Sequence, residues 1–152
     1  MRRGRVGGAG RASGQTMAFA AAAGGAAFIL WNLAVGGSSV TATFTVAPSI
    51  IRSGETGTFR YRITHNRGRR SVGMEGRPTT FTIVPAAHGR IVSLTDHTGN
   101  VLTVNASTGS STTDEAGDIV VVVQVNAAGP LTLSATDMRQ QTTETTSFSG
   151  IP

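Results

Sequence analysis

From residue 38 onward, apolar side chains recur at every second position, and that period restricts the chain to β-strands with one face buried. A helix cannot hold alternate residues on a single face, whereas a strand does so automatically. Val40, Phe44 and Val46 alternate with Thr41, Thr43 and Thr45. Phe59, Tyr61 and Ile63 alternate with Thr58, Arg60 and Arg62, and Phe81 and Ile83 with Thr80 and Thr82. Further strands are predicted near 90–95, 100–106, 118–126 and 130–136. Ile119 to Val123 is apolar at every position, which suits a central strand. Gly, Pro, Asn and Asp separate these runs. About seven short strands at such spacing predict an all-β sandwich.

The segment before this pattern has a different texture. Residues 17–36 contain no charge and run Met-Ala-Phe-Ala through Phe28-Ile29-Leu30-Trp31-Asn32 to Gly36. At 1.5 Å per residue, about 20 such residues match the ~30 Å hydrocarbon core of a bilayer. The expectation is one transmembrane α-helix over 17–37. A cleaved signal peptide ending at Ala34-Val35-Gly36 and a buried soluble helix are the alternatives. The pairs Ala20/Gly24 and Ala21/Gly25 have the small-xxx-small spacing that lets helices approach closely. Asn32 is expected to face a partner helix or the headgroups, and Trp31 to sit at the outer interface.

Charge sets the expected orientation. The net charge is +5, and all 13 basic residues are arginine. Arg2, Arg3, Arg5 and Arg11 precede the apolar run with no acid among them, while the remainder is nearly balanced. Such a flank is retained in the cytoplasm and meets lipid headgroups. The expected organisation is a basic cytoplasmic stub over 1–16, the helix over 17–37, a sandwich over 38–136 on the periplasmic or extracellular side, and a polar tail or edge strand over 137–152. The chain has no cysteine, so no disulfide staples it and no thiolate chemistry is open to it. Nucleic acid is not an expected partner, because the basic excess lies in the stub rather than on a folded patch interleaved with aromatics.

Four stretches carry a family resemblance. They are Ser53-Gly54-Glu55-Thr56-Gly57-Thr58-Phe59-Arg60-Tyr61-Arg62-Ile63, then Arg77-Pro78-Thr79-Thr80-Phe81-Thr82-Ile83. Thr113-Asp114-Glu115-Ala116-Gly117-Asp118-Ile119-Val120-Val121 and Ala128-Gly129-Pro130-Leu131-Thr132-Leu133-Ser134-Ala135 follow. Their order across roughly residues 40–136 resembles bacterial immunoglobulin-like domains of the invasin/intimin type. The resemblance implies a sandwich with a binding or spacer role, and it supplies no catalytic residues. The chain departs from it between Asn66 and Gly76, where a longer, arginine-rich loop replaces a short turn.

Within that departure, Arg67, Arg69 and Arg70 are the candidate partner-binding loop, since closely spaced guanidiniums grip carboxylates or phosphates. A solvated loop is the plain alternative. No catalytic, cofactor or metal site is expected. His65, His88 and His97 are scattered, Asp114, Glu115 and Asp118 read as turn chemistry, and no nucleophile elbow occurs. These features predict a non-enzymatic accessory subunit of a larger bacterial membrane complex, photosynthetic or respiratory among the options, with other integral subunits as partners. A surface adhesin or carbohydrate-binding module, and a virion or pilus component, are the alternatives.

Overall fold

The computed structural model describes the backbone of residues 17–23 and 26–32 and the whole of 38–152. The described residues contain strands and no helix long and apolar enough to cross a membrane. The strands are β1 (Met17–Ala23), β2 (Ala26–Asn32), β3 (Ser38–Val46), β4 (Ile50–Arg52), β5 (Thr56–Arg67), β6 (Arg70–Gly73) and β7 (Pro78–Val84). After them come β8 (Gly89–Thr95), β9 (Val101–Ala106), β10 (Thr108–Thr112), β11 (Asp118–Val125), β12 (Gly129–Asp137) and β13 (Thr142–Ile151).

Two layers make the sandwich. One has the order β3-β5-β11-β8-β9, with β6 also on β5; the other has β10-β7-β12-β13, with β4 parallel to β13. If β3, β5, β7, β8, β11, β12 and β13 are lettered A to G, the layers read A-B-E-D and C-F-G. That is the constant-type immunoglobulin arrangement. The alternation of the sequence is realised directly: Phe59, Tyr61 and Ile63 point inward from β5, and Phe81 and Ile83 from β7. β11, apolar on both faces, lies between β5 and β8 as expected.

The core is stitched by aromatic rings from both layers. Phe59 of the first layer meets Phe148 of the second with ring centroids 5.0 Å apart, and Tyr61 meets Phe81 edge-on at 5.5 Å. Phe44 packs on Tyr61 at 5.4 Å. Each such pair contributes about 0.5–1.5 kcal/mol beyond its area burial.

One pole is closed by a buried ion pair. Arg77, just before β7, donates from Nη2 to Asp137 Oδ2 at 2.5 Å, and Asp137 has no exposed surface. Asp137 Oδ1 accepts from the Arg139 amide at 2.9 Å, and the Arg77 amide donates to Thr113 Oγ1 at 2.9 Å. The pair therefore joins the connections on either side of β7, β11 and β12.

One expectation differs from this picture. The helix over 17–37 is not shown. Its described residues run as β1 and β2, and β2 pairs with the free edge of β3 from Phe28↔Thr43 to Asn32↔Ser39. An uncharged run rich in Ala, with Phe28, Ile29, Leu30 and Trp31 in its second half, satisfies its backbone in a ladder as well as in a helix, and hydropathy alone does not separate the two. Ala20 and Ala21 fall on β1, and Trp31 and Asn32 on β2; Arg2, Arg3, Arg5, Arg11, Gly24 and Gly25 lie outside the described residues. The polar stretch 137–152 supplies β13, which pairs along β12 from Gly129↔Gly150 to Asp137↔Thr142.

Candidate functional site

Arg67, Arg69 and Arg70 do not lie on an open loop. β5 and β6 form a hairpin, with Arg67 paired to Arg70 across a two-residue turn of Gly68 and Arg69. Gly68 has φ +60, the positive value that mirror-image hairpin turns require at their first central position. All three arginines are exposed. The turn thus collects three guanidiniums at one tip.

The hairpin is positioned by a handover along one edge of β5. β11 pairs with β5 from Thr56 to Arg62, and β6 pairs with it from Thr64 to Arg67. At the junction the Ile63 amide donates to Gly117 O at 2.9 Å, and Ile63 O accepts from the Met74 amide at 2.9 Å. Two strands compete for one residue's width there. A side chain on Gly73 would strike the Ala116 carbonyl, and one on Gly117 (φ +82) would strike the Ile63 carbonyl. On the other edge of β5, Ser38 at the start of β3 pairs with Arg67.

Electrostatically the tip is unbalanced. Arg67 and Arg70 are like charges directly opposed across a ladder, an arrangement that destabilises a hairpin. Among the described residues no carboxylate forms an ion pair with Arg67, Arg69 or Arg70. The neighbouring arginine of β5 is served differently. Arg62 donates to both carboxylate oxygens of Asp118 at 2.6 and 2.8 Å, and that hydrogen bond, reinforced by the charge, raises its pKa. After Asn66↔Ser71, whose side chains turn to the opposite face, the next pair on the arginines' own face is His65↔Val72, an imidazole and an apolar side chain 60% exposed. Val72 carries no signal of its own in the sequence, and only the hairpin register brings it and His65 beside the arginines.

The other candidates resolve as structure. Asp114 Oδ1 accepts from the amides of Ala116 and Asp118, both at 2.9 Å, so it closes a turn, and Asp118 is committed to Arg62. A shallow cleft of about 300 Å³ at the same pole is lined by Glu75, His97, Thr98, Gly99, Asp114 and Glu115. No group of three or more metal-ligating side chains occurs among the described residues. His65 and His97 lie toward one pole and His88 at the other, near Gly129. Burial, reinforced by Asp137 and then Glu144, pushes the Tyr61 hydroxyl well above its ordinary range, which keeps it protonated in the core.

No family model matches the chain, and no curated protein matches it. Solved structures do. A β-glycosidase from Bacteroides vulgatus aligns with a TM-score of 0.54 and 9% identity over 75% of this chain; the chain spans 17% of that enzyme's length. Domains 4 and 5 of the S-layer protein SbsC align with a TM-score of 0.51 and 10% identity, covering 84% of this chain and 77% of theirs. The D00-D0 domain of intimin is also similar, with a TM-score of 0.46 and 12% identity over 93% of this chain and 88% of its own. At these identities the first two likenesses speak to fold alone. They agree with the strand order in an all-β sandwich fold.

Proposed function

We propose that this chain is a non-catalytic structural module of the bacterial cell envelope, an accessory subunit held within a larger membrane assembly. The sandwich, with the uncharged strands β1 and β2 along the β3 edge, packs against neighbouring integral subunits on the outer side. The observation that carries this reading is the placement of the two ends of the sandwich. β3 begins beside the arginine tip at one pole, and β13 ends beside β4 and Ile51 at the other. A rigid two-layer body whose strands run from pole to pole suits a spacer or brace.

Native purification from membranes in mild detergent, followed by mass spectrometry of what accompanies the chain, tests the proposal. A fixed stoichiometric set of integral membrane proteins supports it, and a lone monomer refutes it. A second reading, a surface binding module, is favoured by one feature, the unpaired arginine tip. It predicts that residues 38–152 alone bind a ligand and that replacing Arg67, Arg69 and Arg70 abolishes binding.

A further inference from the structure

We infer that the β5–β6 hairpin is a contact for an anionic lipid surface, with Arg67, Arg69 and Arg70 taking lipid phosphates and Val72 entering the headgroup boundary. The inference rests on the reading that the chain works at a membrane. Three observations lead to it.

The first is the charge at the tip. Opposed Arg67 and Arg70, with Arg69 between them in the turn, have no acidic partner among the described residues. Elsewhere in the sandwich, arginines placed toward the core or an acid are matched, as Arg77 is by Asp137 and Arg62 by Asp118. A repulsive cross-strand pair is offset when an anion sits between the guanidiniums, and the planar fork of arginine matches phosphate oxygens.

The second is chemical. Two residues beyond Arg70, on the same face of the hairpin, is Val72, apolar and 60% exposed. A soluble polyanion offers such a group nothing. A bilayer boundary takes both, the guanidinium at the phosphates and the aliphatic group just beneath.

The third is position. Ser38 pairs with Arg67, so the tip lies one strand spacing from the residue that follows the apolar stretch and its Gly36-Gly37 link. β1 starts and β2 ends at this same pole, with Met17 opposite Leu30 and Asn32 opposite Ser39, so both outer ends of that uncharged strand pair lie on the side of the tip.

The test is a vesicle-binding titration of the full chain, using neutral phosphatidylcholine vesicles and vesicles enriched in phosphatidylglycerol. The variants are Arg67→Ser/Arg69→Ser/Arg70→Ser, the corresponding triple Lys variant, and Val72→Ser. All four side chains are exposed, and a circular dichroism spectrum confirms that each variant is folded. At about 1 kcal/mol for each basic residue near an anionic surface, the triple Ser variant loses roughly 100-fold in affinity for anionic vesicles. Its binding to neutral vesicles is unchanged, the triple Lys variant keeps most of the affinity, and Val72→Ser loses a few-fold. Equal affinity of wild type and triple Ser variant for anionic vesicles overturns the inference. So does wild-type binding to inorganic polyphosphate that is tighter than to vesicles and indifferent to Val72→Ser, which makes the tip a site for soluble polyanions. A failed co-purification removes the subunit reading and leaves this result intact, so the two failures are separable.

Discussion

Replacing Arg77 by methionine isolates the energetics of the pole that carries the hairpin. Met has a stem of similar length, so the packing volume along the side chain is largely kept. The change strands Asp137, which has no exposed surface, without its cation. The amide of Arg139, at 2.9 Å from Oδ1, remains as one donor and does not neutralise the charge. Breaking a buried pair in this way costs about 3–5 kcal/mol, most of it the desolvation of the abandoned carboxylate. At an unfolding entropy of about 2.1 cal/mol/K per residue, a domain of roughly 115 residues loses on the order of 12–20 °C in Tm.

The same reasoning fixes what the second substitution must do. Asp137→Asn keeps the Oδ1 acceptor for the Arg139 amide and removes the charge. In the background of Arg77→Met it is expected to recover more than half of the loss, because a neutral amide tolerates burial that a carboxylate does not. Urea denaturation followed by circular dichroism, on wild type, both single variants and the double, gives the coupling energy directly. An Arg77→Met variant within about 0.5 kcal/mol of wild type refutes the argument. A double variant no more stable than Arg77→Met refutes it as well, since the stranded charge is then not the cause.

Three other outcomes follow from single features. Gly117→Val places a side chain against the Ile63 carbonyl in a left-handed backbone; a loss of about 1–3 kcal/mol with increased amide exchange across β6 is expected, and wild-type exchange there would contradict the handover geometry. Phe81→Ala empties the space edge-on to Tyr61 and costs about 3–5 kcal/mol by chemical denaturation; a cost under about 1 kcal/mol would mean the layers collapse freely. Asp96 titrates at about 2, below its ordinary 3.8, because the Thr98 hydroxyl and then the Asn100 and Thr98 amides hydrogen-bond its carboxylate. A depressed folded value means this contribution is complete above 3.8 and lost as pH falls towards 2. The Thr98 and Asn100 amides are therefore expected to lose exchange protection across that window, and protection independent of pH there would disprove the assignment.

How far the sequence could be read depended on whether a signal was local. The inward set Phe59, Tyr61, Ile63, Phe81 and Ile83 is a local alternation, and it was legible. β13 was legible only as a tail or an edge strand, because its inward residues are Thr142, Glu144, Thr146, Phe148 and Gly150, and with one large apolar side chain among them the hydropathy period vanishes. Arg77 and Asp137 are 60 positions apart, and nothing in either neighbourhood announces the other. The arginine loop was recognised by composition, but its form as a hairpin depends on Gly73 and Gly117 meeting at Ile63, a long-range coincidence. The run over 17–37 was read as a helix from its lack of charge, which says that a segment avoids water and does not say how its backbone is paired; its described residues run as β1 and β2.

These particulars bear on what the chain could have been selected to do. A sandwich that needed only to fold would place an acid opposite Arg67 or Arg70, as it does for Arg62, at no cost to its core. Instead β5 is extended past the end of β11, β6 is grafted onto the surplus, and two glycines are held at a crowded junction to allow it. Each of these choices weakens the isolated domain, through like-charge repulsion, backbone entropy at glycine and an exposed valine. Local departures from self-consistency concentrate where a surface is shaped for something outside the molecule. In this chain one group of them gathers at the arginine tip, on the pole where β3 begins.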